Sequence, residues 1–150
     1  MPCRESANPL SFVIVVPRPG SPEWTLAESL LKTLTIEGDV EWVDYGMVIN
    51  IDREARPRGS FGYVFTADGE AFAARFEFMK LEPAMVSYLK TRYSEGNYPV
   101  RLLIGFNRAT HRIEIESEFT DMRRWQIDPD DFIGSIKAIR PHRPNWPDEN

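Results

Sequence analysis

Three glutamates stand at alternate positions in the segment Arg112–Phe119, which reads RIEIESEF: Glu114, Glu116 and Glu118. In an extended strand, residues two apart share a face and lie about 7 Å from each other. Three carboxylates in one row repel each other unless something offsets the charge. Two readings of the row stand. In the first it is a solvated face with cross-strand ion pairs, to Arg101 on the neighbouring strand and with Arg75 beside Glu77 on an earlier hairpin, each contributing little. In the second it is an acidic patch that meets a basic partner surface and speeds encounter. Metal binding suits it least, because hard cations want oxygen ligands converging on one point, and a straight row does not converge. The next segment, Thr120–Pro129 (TDMRRWQIDP), sets Asp121, Arg123, Arg124 and Trp125 between a strand and a helix. Trp125 can pack that corner while the arginines pair with Asp121 and the carboxylates around it. Trp and Arg are also the residue types enriched where protein partners bind most tightly. The candidate partner-binding residues are therefore Glu114, Glu116, Glu118, Asp121, Arg124 and Trp125.

Residues that could catalyse a reaction are less well placed. His111 falls in a turn and His142 in a Pro-rich tail, whereas a general base must be held rigidly within hydrogen-bond reach of its target. Cys3 is the one cysteine and sits in a segment expected to be loose, so neither a disulfide framework nor an activated thiolate is expected. The chain contains no Gly-x-Ser-x-Gly elbow, phosphate-binding glycine loop, dinucleotide fingerprint or H-E-x-x-H. Gly59–Gly62 (GSFG) reads as a turn. A carboxylate pair for glycoside chemistry would have to be picked from 23 acids, which carries no signal. Phe61, Tyr63, Phe65, Phe72, Phe76 and Phe78 lack interleaved Lys and Arg, so they read as core and not as a stacking platform for nucleic acid. The expectation is a protein with no catalytic residue, no metal and no cofactor.

The chain has 150 residues, a formal net charge of −5 and 42% hydrophobic residues. That length fits one domain spanning 1–150, with 1–9 and 142–150 loosely ordered, and a chain of this size buries about 70% of its unfolded surface. The acidic balance argues against general nucleic-acid binding, which needs clustered cations. The apolar run Leu10–Val16 is too short to span a bilayer and is preceded by a mixed-charge segment. It reads as a buried strand, and the expected compartment is the cytoplasm.

The elements that must position these residues follow from periodicity. A strand at Ser11–Val16 leads to a helix opened by Ser21-Pro22-Glu23, with Trp24, Ala27, Leu30, Leu31 and Leu34 on its apolar face and a stop at Glu37-Gly38-Asp39. Alternation at Val43, Tyr45, Met47, Ile49 and Ile51 marks a strand, and the Asp68-Gly69 turn joins the next two as a hairpin. A second helix has Pro83 near its start and Met85, Val86 and Leu89 on its apolar face. Strands at Val100–Phe106 and Ile113–Phe119 precede a last helix, opened by Asp128-Pro129-Asp130-Asp131 and faced by Phe132, Ile133, Ile136 and Ile139. The order β-α-β-β-β-α-β-β-α predicts an α+β fold. Its mostly antiparallel twisted sheet would carry helices on one face and water on the other.

The run Val100–Pro141 resembles the C-terminal part of the YezG-like group of small bacterial immunity proteins. The likeness lies in a hydrophobic strand, a turn, the strand of alternating acids, the Asp121-to-Trp125 step and a terminal helix ending at Arg140-Pro141. The resemblance implies a cytoplasmic protein that binds and blocks a cognate toxin, often a nuclease, with no chemistry of its own. Two other classes remain open beside it. One is a small-ligand-binding or enzymatic domain with a pocket between helices and sheet, and the other is a homodimer built on the same sheet face or an edge strand.

Overall fold

The computed structural model describes residues 12–141. The expectations placed on Cys3, on His142 and on the loose ends at 1–9 and 142–150 fall outside the described residues. Among the described residues, seven strands form one antiparallel sheet: β1 (Phe12–Val15), β2 (Thr35–Ile36), β3 (Asp44–Ile51), β4 (Pro57–Phe65), β5 (Ala71–Arg75), β6 (Arg101–Asn107) and β7 (Ile113–Glu118). Their spatial order is β1-β7-β6-β3-β4-β5-β2. Three helices accompany them: α1 (Pro22–Thr33), α2 (Phe78–Arg92) and α3 (Phe132–Ala138), the last entered through a 3-10 turn at Pro129–Asp131. The expected α+β class with an antiparallel sheet is the observed one.

Helix α1 begins where capping chemistry places it. The Ser21 hydroxyl accepts from the Trp24 backbone N–H at 3.1 Å, with Pro22 in the first turn. It ends at Thr33, one turn earlier than the periodicity predicts. The β-branched pair Thr35–Ile36 leaves the helix and pairs with Arg75 and Ala74 of β5, adding a strand that the sequence reading counted as helix. Its buried face is Leu26, Ala27 and Leu30, while Leu31, expected inside, is 38% exposed. Glu23 is also buried there. Arg92 of α2 chelates it through two hydrogen bonds of 2.6 and 2.8 Å, and that pairing holds its carboxyl below the ordinary value.

Helix α2 starts at Phe78, so Pro83 lies inside it and not near its start. Its buried residues are Leu81, Ala84, Met85, Tyr88 and Leu89, with Val86 half-buried. α1 and α2 cover one face of the sheet, where Tyr45, Met47, Ile49, Leu102, Ile104, Phe106, Ile113 and Ile115 form the main core with them. Tyr45 packs its ring against Trp42, Phe76 and Phe106 at centroid distances of 6.0, 5.9 and 5.4 Å. Its buried hydroxyl has no hydrogen-bond partner among the described residues. Burying a hydroxyl without a partner costs free energy that a phenyl ring does not incur, so Tyr45→Phe is expected to stabilise the fold by about 1 kcal/mol. A urea midpoint that falls on this substitution would mean that the hydroxyl has a partner, such as an internal water.

The opposite face overturns the expectation of an open, solvated surface. Residues 120–141 fold back across it. Val48, Phe65, Leu103, Ile136 and Ile139 are buried together there, with Phe61, Tyr63, Ala71, Trp125 and Ile127 packed against them. Phe61, Tyr63 and Phe65 therefore belong to this second layer. Gly59–Gly62, read as a turn, lies within strand β4. The fold-back is close because the sheet offers a glycine floor. Gly46 and Gly105 face each other across β3 and β6. A Cβ on Gly46 would fall 2.8 Å from the Ile139 carbonyl carbon, and one on Gly105 would fall 2.7 Å from Pro141 Cγ. Arg140 then reaches past this floor to Asp44, with Nε 3.3 Å from Oδ1, and lies over the Phe65 ring at 5.2 Å.

Candidate functional site

The acid row of β7 is real in phase and different in role. Glu114, Glu116 and Glu118 all point away from the helical face, as their register against Gly105, Leu103 and Arg101 of β6 requires. They do not form an open acidic surface. Glu114 is buried, and Glu116 and Glu118 are partly covered. The physical reason is the corner that follows. Arg124 folds back along the strand so that its guanidinium donates to both Glu116 and Glu118, the latter at 3.0 Å. Glu118 also accepts from the Thr120 and Asp121 backbone N–H groups at 3.2 and 3.0 Å. The Asp121 N–H, followed by Arg124, holds the Glu118 carboxyl down to about 2, far below its ordinary 4.5. Glu116 and Glu118 thus anchor the cover.

Arg101 was expected to pair across the sheet with the acid row. It is buried, and its Nε donates to Asn50 Oδ1 at 2.8 Å while Nη1 donates to the Arg124 carbonyl at 2.6 Å. Burial pushes the Arg101 guanidinium below its ordinary value. Arg124 supplies a carbonyl on one side and a cation on the other, which ties the corner to β6 and β7 together. The Arg124 guanidinium also lies 4.5 Å from the Trp125 ring centre. Trp125 is half-buried and adopts φ +67, a left-handed conformation uncommon for a bulky residue. Of the six residues singled out in the sequence, the structure brings Glu116, Glu118, Asp121, Arg124 and Trp125 into one connected corner. Glu114 is buried in β7.

The outward side of this cover carries Phe132 and Ile133, expected on the inward face of the last helix, together with Met122. Met122, Phe132 and Ile133 are 60%, 51% and 70% exposed. Between and beside them Asp121, Asp128, Asp130 and Asp131 are exposed as well. Asp128 and Asp131 also cap the helical turn and α3, accepting from the Asp130 and Gly134 N–H groups at 2.9 and 3.3 Å. The spacing gave no signal of this, because Phe132, Ile133, Ile136 and Ile139 fit one ordinary apolar helical stripe, and only the seating of residues 120–141 on the sheet leaves the first two outside.

The helix–sheet interface, where a ligand pocket was the rival expectation, is filled by Leu26, Leu30, Met47, Leu81, Met85 and Leu89, all fully buried. Among the described residues no three of His, Cys, Asp and Glu converge to hold a metal ion, and no helix is long and apolar enough to cross a membrane. His111 is exposed in the β6–β7 turn, with φ +63. Compared with family models, curated proteins and solved structures, the chain finds no match.

Proposed function

We propose that this chain works by binding a basic protein partner through the outward side of residues 121–133, as an immunity protein binds and blocks its cognate toxin in the cytoplasm. One observation carries the reading: three large apolar side chains, Met122, Phe132 and Ile133, stand exposed on a segment that also exposes four aspartates. Apolar side chains set among polar ones are a common anatomy of protein interfaces, where an apolar centre excludes water and the charged surround sets encounter and register. The −5 net charge favours a cationic partner. The cover is also firmly held, by Arg124 on two carboxylates and by Arg140 on Asp44, so little ordering remains to oppose binding. The toxin as partner rests on the resemblance of Val100–Pro141 to immunity proteins. The acid row takes an indirect part: it positions Arg124 and Trp125, and the partner meets the segment above.

The experiment is affinity purification of the tagged full chain from its host, with the Met122→Asp/Ile133→Asp double variant alongside. The expected result is an equimolar complex with a basic protein that arrests growth when expressed alone and not when co-expressed with this chain. Both variant positions are solvent-exposed, so folding is retained, and affinity is expected to fall about 100-fold. A chain that purifies alone, or a partner held equally well by the variant, would reject the reading.

A further inference from the structure

At the end of the sheet on its helical side lies a cleft of about 650 Å³, bounded by the end of α1, β2, the loop before Trp42 and the β6–β7 turn. Its lining mixes three chemistries: Leu31, Ile36 and Val40 are aliphatic, Asp39 and Glu41 bring two exposed carboxylates, and Arg108 and His111 bring a guanidinium and an imidazole. The last two are held in place by independent constraints. The Arg108 guanidinium lies 4.4 Å from the Trp42 ring centre, its Nη1 donates to the Trp42 carbonyl at 3.2 Å, and its backbone N–H donates to Val43 O at 2.8 Å. The His111 ring stacks on Phe106 at 6.1 Å and 14°, and its backbone N–H donates to Asn107 O at 2.8 Å. Asn107 Oδ1 ties the turn further, accepting from the Thr110 N–H and hydroxyl, both at 2.8 Å. Holding His111 at φ +63 costs on the order of 1 kcal/mol, which these contacts offset, and the outcome is an imidazole fixed at the wall of a cleft.

The charges select the ligand. A simple anion drawn by Arg108 would be repelled by two carboxylates, and a simple amine drawn by the carboxylates would meet Arg108. A molecule with both signs can meet both kinds of group, and an aliphatic body suits Leu31, Ile36 and Val40. The cleft also lies within the roughly 300–1,000 Å³ typical of small-ligand sites. We propose that this cleft binds an aliphatic zwitterion of the amino-acid type, with its carboxylate on Arg108 and His111 and its ammonium on Asp39 and Glu41. A fork of guanidinium N–H groups matches a carboxylate geometrically, and the bond is charge-assisted. The same chemistry is presented by a free amino acid and by a short peptide with free ends.

Calorimetric titration of the full chain separates the cases, with leucine, alanyl-leucine, leucinamide (carboxylate blocked) and N-acetyl-leucine (ammonium blocked). Saturable binding is expected for leucine or alanyl-leucine, and the tighter of the two identifies the source. Each blocked form should bind about tenfold more weakly or worse, since it leaves one charged wall without its partner. Arg108→Gln should weaken the zwitterion and bind leucinamide as well as the parent or better, since a like charge is removed. Asp39→Asn with Glu41→Gln, both at exposed positions, should weaken the zwitterion and bind N-acetyl-leucine as well as the parent or better. No saturable heat from any of the four, or blocked forms that bind as well as the zwitterion, would overturn the proposal. The cleft is built from other residues than the 121–133 segment, so either result leaves the protein-binding reading to its own test.

Discussion

Gly46→Ala is expected to lower stability by about 3 kcal/mol, at the upper end of what overpacking costs. The direction is opposite to the usual one. Alanine in place of glycine inside a strand ordinarily stabilises by roughly 0.5–1 kcal/mol, because it restricts the unfolded chain. At Gly46 the added methyl meets the Ile139 backbone, with the carbonyl carbon only 2.8 Å away and the oxygen nearer still. A backbone carbonyl cannot rotate aside as a side chain can, so the end of the chain must lift off the sheet. That movement would uncover Val48, Phe65 and Leu103 and loosen the Arg140–Asp44 pair. Gly105→Ala makes an informative companion. Its methyl meets carbons of the Pro141 ring and no main-chain carbonyl, and a smaller loss of about 2 kcal/mol is expected. Urea denaturation gives both values, and amide hydrogen exchange across α3 locates the change. A Gly46→Ala protein as stable as the parent would show that the chain end is not seated on the glycine floor.

Glu118→Gln is the second. The native carboxyl titrates at about 2, against an ordinary 4.5. A depression of that size corresponds to roughly 3 kcal/mol of preference for the charged form, and partial exposure lowers the usable contribution to about 2 kcal/mol. Because the unfolded chain takes up its proton at the higher pH, this contribution is complete above 4.5 and is lost progressively as pH falls toward 2. Glutamine keeps the shape and removes the charge. The variant should therefore be about 2 kcal/mol less stable at neutral pH, with the difference narrowing once the solution is brought near pH 3. Urea midpoints of both proteins at the two pH values check this. A difference that does not change with pH would assign the loss to packing and remove the charge from the account. If the corner loosens as expected, binding through 121–133 should weaken with it, since Arg124 and Trp125 set the path of that segment.

Much of the frame was legible because it depends on short-range rules. The alternation through Tyr45, Met47, Ile49 and Ile51 set the phase of β3, the Ser21-Pro22 cap set the start of α1, and Asp68-Gly69 closed the β4–β5 hairpin with Gly69 at φ +91. The phase of Glu114, Glu116 and Glu118 was equally readable, since a strand leaves no choice of side. Misreadings came where two local signals competed. The apolar spacing through Leu34 and the stop at Glu37-Gly38-Asp39 favour a helix up to Ile36, while the β-branched side chains of Thr35 and Ile36 favour extension, and pairing with β5 decides it. Phe61, Tyr63 and Phe65 alternate cleanly, but alternation says which residues share a face and not which face that is.

Sequence alone determined the class of fold, the antiparallel pairing and which residues of a strand share a face, because these follow from backbone geometry repeated every two or four residues. Only the tertiary structure decided what covers the second face. That outcome depends on residues nearly a hundred positions apart, Gly46 beneath Ile139 and Asp44 beneath Arg140, and no local period encodes such a meeting. The same fold-back turned an expected acidic surface into an anchor. Desolvating Glu116 and Glu118 is favourable only with Arg124 laid across them, and that arrangement carries Asp121, Met122, Phe132 and Ile133 to the outside.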